Sequence, residues 1–138
     1  WALEPVLDLS AFPNTVVDVF VYILQADAGT RTAGINAASM ALAQAGLPMR
    51  DLVCSVAVGK NDKTILADLD KDEEDYEEGE GATDLAIAKV ANSDEFTLMQ
   101  MDGKIQPEAF DEAVKMGTKV CEDIYEAQKK ALKEAIEK

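Results

Sequence analysis

Gln25-Ala26-Asp27-Ala28-Gly29-Thr30-Arg31 is the stretch from which the fold of this chain is read. Before it, Val16 to Leu24 is aliphatic or aromatic except for Asp18, the pattern of a strand buried on both faces. After it the period becomes helical, so the stretch is a strand-to-helix junction. A helix start presents unpaired N–H groups and the positive end of a dipole, which together favour an anion. Gly29 lets backbone come close, Thr30 adds a hydroxyl, and Arg31 adds a planar fork suited to phosphate. An ordinary polar helix start with a solvated Arg fits the same residues, and both readings stay open here.

The helix expected from about Thr30 to Ala45 carries small residues (Ala33, Gly34, Ala37, Ala38, Ala41) that allow close approach to a sheet. Gly46 followed by Pro48 is its stop signal. Upstream, Phe12-Pro13-Asn14-Thr15 reads as a turn, and Trp1 to Leu9 as a helix end or irregular lead-in restricted by Pro5. Downstream, Asp51 to Lys60 and Thr64 to Asp70 are strands joined at Asn61-Asp62. Asp84 to Val90 and Glu95 to Met101 are two more, the last ending in a turn at Asp102-Gly103. Pro107 opens a long amphipathic helix whose apolar stripe is Phe110, Val114, Gly117, Val120, Cys121, Ile124, Leu132 and Ile136. Glu126/Lys130 and Glu134/Lys138 are i,i+4 pairs on its outer face. The order β-α-β-β-β-β-α predicts an α/β sandwich, a mixed sheet with two main helices on one side.

At 138 residues the chain fits one domain. Its two cysteines are too few for a disulfide framework and read as reduced thiols in a cytosolic protein. No apolar run is long enough to span a bilayer, so no membrane partner is expected. Histidine is absent, which excludes Ser-His-Asp and Cys-His catalysis and His-ligated zinc within this chain. The net charge of −14 argues against nucleic acid binding by this chain alone, because phosphate backbones need Lys and Arg.

Asp68 to Glu80 is the second candidate for chemistry, with nine acids among thirteen residues. Crowded carboxylates repel unless solvated or neutralised, and magnesium selects carboxylate and water oxygens. Asp84, at the start of the apolar strand Leu85-Ala86-Ile87-Ala88, would be held rigidly. A solvated loop that aids solubility is the competing reading.

The chain resembles the RNase PH family, most closely the catalytic RNase PH-like subunit type of the archaeal exosome. The resemblance rests on Leu24-Gln25-Ala26-Asp27-Ala28-Gly29-Thr30-Arg31, Ala37-Ala38-Ser39, Ala45-Gly46-Leu47-Pro48-Met49-Arg50-Asp51 and Ala57-Val58-Gly59-Lys60. It implies phosphorolytic 3′→5′ degradation of RNA, with inorganic phosphate as co-substrate and nucleoside diphosphates released. It implies that Gly29, Thr30 and Arg31 bind phosphate. It also implies two carboxylates beside a magnesium or manganese ion, one of them Asp84, which doubles as general acid. The upstream acid falls in a loop longer than the family's; Asp75 is the choice, with Glu74 and Glu78 as alternatives. Asn14 stands where relatives carry a basic residue. The family's adjacent RNA-gripping arginines fall N-terminal to Trp1, so residues 1–138 are expected to form a single RNase PH-like domain lacking its N-terminal half. The implied partners are RNA and other RNase PH-like subunits of a hetero-oligomeric ring in the cytoplasm. A non-catalytic ring subunit and an acidic protein-binding module are the alternatives.

Overall fold

The structure, a computed structural model, describes residues 1–137. Four strands form one sheet: β1 (Val53–Asn61), β2 (Thr64–Ala67), β3 (Ala82–Val90) and β4 (Phe96–Gly103), in the order β2-β1-β3-β4. Three helices accompany it: α1 (Thr30–Gln44), the single-turn α2 (Lys71–Glu74) and α3 (Pro107–Ile136). The lead-in is irregular, with 3-10 turns at Glu4–Val6 and Leu9–Ala11, and the expected turn at Phe12 closes with Thr15 N–H donating to the Phe12 carbonyl.

Every pairing in the sheet is antiparallel, so the sheet is not mixed. The mixed reading needed Val16 to Leu24 as a strand, and it forms none. Its residues are unpaired, with Phe20 at 75%, Tyr22 at 81% and Leu24 at 97% exposure. A strand exists only when a neighbour takes its N–H and C=O groups, and no described segment does so. β4 also runs through Asp102-Gly103 rather than turning there.

Alternation along β1 and β3 divides the core into two clusters. Cys54, Val56 and Val58 pack with Leu85 and Ile87 against Ala113 and Cys121 of α3. Val53, Ala88 and Val90 point the other way, toward Ile35 of α1 and toward Ala2 and Val6. The two helices thus serve opposite faces, not one. Hydrophobic periodicity marks which stripe of a helix is buried, and it carries no information about which face of the sheet receives it.

β2 pairs only with Val58 to Asn61, which leaves the first half of β1 with an open edge. α1 closes that edge with side chains. Asn36 Oδ1 accepts from Ser55 N–H at 2.8 Å while its Nδ2 donates to Ser55 O at 2.7 Å, as a neighbouring strand would. Ser39 Oγ accepts from Val53 N–H at 2.8 Å. On α3 the stripe departs from expectation at two places. Ile136 is exposed, and Gln128 is buried, donating to the carbonyls of Val53 and Asn36 and accepting from the Cys54 thiol. Glu126 pairs with Lys129 rather than Lys130, and the Glu134/Lys138 pair lies outside the described residues.

Candidate functional site

The site is built where the unpaired segment before Gly29 enters α1. Ala28 and Gly29 both take left-handed backbone angles (φ 57° and 58°), which folds the chain back and starts the helix at Thr30. Gly29 has no side chain to cap the helix; its carbonyl accepts from Ala33 N–H and from the Thr32 hydroxyl. The N–H groups of Thr30, Arg31 and Thr32 therefore face outward without an intrahelical acceptor, beside the positive end of the helix dipole.

Arg31 reaches from this turn across to the sheet. Its Nη2 donates to Asp84 Oδ2 at 2.5 Å and its Nη1 to Gln100 Oε1 at 2.9 Å. Asp84, near the start of β3, is paired in register with Gly59 on one side and Asp102 on the other. A Cβ built on Gly59 would fall 1.8 Å from the carbonyl oxygen of Thr83, so only glycine lets β1 lie this close to the residue before Asp84. The Asp84 side chain is 9% exposed and that of Arg31 51%. Burial pushes the Asp84 carboxyl above the ordinary aspartate value, Arg31 pulls it back down, and Asp102 adds a further upward push.

The acidic segment is not a free loop. Asp70 caps α2 in a reciprocal capping box with Glu73, and Asp27 Oδ1 accepts from Lys71 N–H at 3.1 Å, tying the segment to the stretch before α1. This single turn sets the orientation of the acids. Glu74 lines a cavity of about 90 Å³ together with Ala28, Gly29, Thr30, Arg31, Thr32 and Asp84. Asp75 does not line it; its carboxylate is 61% exposed and bonded to Lys71 Nζ at 2.6 Å. Glu78 is exposed on the loop beyond and does not line it either. The structure therefore joins Gly29, Thr30, Arg31 and Asp84 at one place, and the acid it brings to them is Glu74, in place of Asp75. The sequence held a signal for this. Asp70-x-x-Glu73 is a capping-box pattern, and one helical turn after it turns positions 74 and 75 to different sides. Gln100 carries no signal in the sequence, because its contact with Arg31 depends on the β3–β4 register.

Among the described residues, no group of three or more His, Cys, Asp or Glu side chains lies together to hold a metal ion. The donors on the cavity, two carboxylates and the Thr30 hydroxyl, are nevertheless of the right kind for magnesium. That ion takes one or two carboxylates and completes its shell with water and substrate phosphate. No helix among the described residues is long and apolar enough to cross a membrane.

A helix start, a guanidinium and two carboxylates thus lie on one small cavity. In comparison with known sequences, residues 51–120 match the model of the 3′ exoribonuclease family, domain 2, and residues 2–48 that of domain 1. The chain belongs to this RNase PH family. Among its relatives, "Exosome complex component Rrp41" of Thermococcus gammatolerans is 54% identical over 133 residues, covering 96% of this chain and 52% of that protein. The protein of the same name from Pyrococcus abyssi is 50% identical with the same coverage, and that from Nitrosopumilus maritimus is 45% identical over 95% of this chain and 52% of its own. The chain thus spans about half the length of the curated relatives it matches. A crystal structure of rice (Oryza sativa) Rrp46 has the same fold, with a TM-score of 0.69 at 19% identity over 80% of this chain and 51% of that one.

Proposed function

We propose that this chain forms the phosphate-binding half of a phosphorolytic 3′→5′ exoribonuclease, a catalytic subunit of an exosome-like ring of RNase PH-like chains. The observation that carries the reading is the Arg31–Asp84 pair on a cavity shared with Glu74. Arg31 supplies a cation at a helix start, Asp84 is paired to it, and Glu74 lines the same cavity, so groups for an anion and for a cation share one place. In the reaction an oxygen of inorganic phosphate attacks the terminal phosphodiester phosphorus, the bond to the 3′ oxygen breaks, and a nucleoside diphosphate leaves. The protein contributes positioning and charge, which dominate phosphoryl transfer. Arg31, Thr30 and the first N–H groups of α1 bind the attacking phosphate in line. Asp84 and Glu74 are the residues that would hold magnesium or manganese, and that ion, when bound, supplies neutralisation of the charge on the leaving oxygen.

The relatives' name supports the exosome assignment. Catalysis is favoured over a non-catalytic ring role because Gly29, Thr30, Arg31 and Asp84 are all present and converge. The acidic-module reading is weakened by how firmly the Asp68–Glu80 segment is bound into the fold, through Asp27–Lys71 at one end and Lys60–Glu80 at the other. RNA binding falls largely to cationic surface outside these residues, since Arg31 and Arg50 are the only arginines and the net charge is −14.

The test is to assay the full-length protein on RNA with phosphate and magnesium and to identify the product. Nucleoside diphosphates, lost in Arg31→Ala by a factor on the order of 10² or more, are the expected result. Nucleoside monophosphates, or unchanged phosphate dependence in Arg31→Ala, would overturn the reading.

A further inference from the structure

The guanidinium of Arg31 is held by two partners of different electrical kind. Nη2 donates to the carboxylate of Asp84, and Nη1 donates to the neutral amide oxygen of Gln100. Gln100 sits on β4 opposite Ala86, one pleat from the Asp84↔Asp102 pair, so both acceptors rise from the face that Arg31 crosses. Asp84 is buried whereas Gln100 lies on the exposed edge strand.

These partners respond differently to an incoming phosphate. Asp84 and phosphate are both anions, and Asp84, which lines the cavity with Arg31, holds the Nη2 edge that a phosphate there would need. They compete. Gln100 occupies the other edge and leaves the positive charge of Arg31 uncancelled, so it has no reason to leave. An Arg at an exposed helix start that loses its only charged partner would regain rotamer freedom and swing into solvent. We propose that Gln100 is a positioning residue, which keeps Arg31 anchored through Nη1 while Nη2 exchanges Asp84 for inorganic phosphate. This rests on the phosphate role given to Arg31 above, and it assigns opposite signs to the two partners. Removing the Gln100 acceptor weakens phosphate binding, and removing the Asp84 charge strengthens it.

The experiment is calorimetric titration of the full-length protein with inorganic phosphate, with steady-state kinetics alongside. Gln100→Met keeps the side-chain length and removes the acceptor; at an exposed edge position it leaves the melting temperature unchanged. Its dissociation constant and its KM for phosphate should rise about tenfold, as loss of a hydrogen bond to a charged group implies, with kcat changing far less. Asp84→Asn should bind phosphate more tightly than the unaltered protein while turning over far more slowly. An unchanged phosphate affinity in Gln100→Met, or shifts of the same sign in both variants, would overturn the proposal. So would a kcat loss in Gln100→Met accompanied by a lower melting temperature, which marks a structural role. Arg31→Ala separates the two levels. If it binds phosphate normally, the function proposed above fails; if it does not and Gln100→Met does, only the positioning role fails.

Discussion

Asn36→Ala tests how α1 is fixed to the sheet. Asn36 makes two hydrogen bonds to the backbone of Ser55, at 2.8 and 2.7 Å, and Ser55 is 1% exposed. Truncation leaves a buried N–H and a buried C=O without partners, and at about 1–3 kcal/mol each, reduced by some water entry beside half-buried Asn36, the loss is about 2–4 kcal/mol. Urea unfolding of the full-length protein should show the midpoint lowered with the slope unchanged, because the surface exposed on unfolding is the same. Asn36→Asp is the informative companion. It retains an acceptor for Ser55 N–H but faces Ser55 O with a charge that cannot donate, so it should be no more stable than the Ala variant. Because α1 carries Arg31 five residues earlier, the same variants should bind phosphate more weakly. A loss below about 0.5 kcal/mol, the range of ordinary surface changes, would refute the idea that Asn36 stands in for a strand.

Two further outcomes follow from the site and the core. Glu74→Gln should abolish magnesium-dependent turnover of the full-length protein, whereas Asp75→Asn should leave it near normal, because Asp75 meets only exposed Lys71, a pair worth less than about 1 kcal/mol; rate measurements giving the reverse order would remove Glu74 from the site. Burial raises the Cys54 thiol from 9.0 to about 12 and that of Cys121 to about 11, so the folded state favours the neutral thiols. The stability they contribute is complete below pH 9.0 and is lost as pH rises through 11 to 12. Urea midpoints should fall over that window, and thiol labelling read by peptide mass spectrometry at pH 8 should reach Cys54 and Cys121 only after unfolding.

The parts of the fold legible in the sequence are those governed by local chemistry. The change of period at Gly29-Thr30-Arg31 located α1, Gly46 and Pro48 located its end, and the turn at Asn61-Asp62 placed the first hairpin. The parts not legible depend on partners distant in the chain. Val16 to Leu24 has the composition of a buried strand, but composition supplies no neighbour, and the segment stays unpaired and exposed. Gln128 interrupts an apolar stripe, and only the folded chain reveals the carbonyl of Val53 that makes its burial tolerable. The meeting of Arg31 and Asp84 was expected from their places at the ends of regular elements. Which loop acid lines the cavity with them turned on a single helical turn within a run of carboxylates, where one position of rotation separates Glu74 from Asp75.

The carboxylates folded against the Gly29–Arg31 turn also determine how these residues respond to salt. Proteins that bind nucleic acid normally lose affinity as ionic strength rises, because bound phosphates have already displaced counterions. Here the long-range field is set by a net charge of −14, and an approaching polyanion meets repulsion before it meets the lone guanidinium at the cavity. The repulsion extends about 10 Å at 0.1 M salt and about 3 Å at 1 M, whereas the Arg31 contact acts at hydrogen-bond range and is screened far less. The same screening relieves self-repulsion among the acids of the Asp68–Glu80 segment. Concentrated salt therefore favours the compact state of these residues and lowers the barrier that their charge sets against any approaching polyanion.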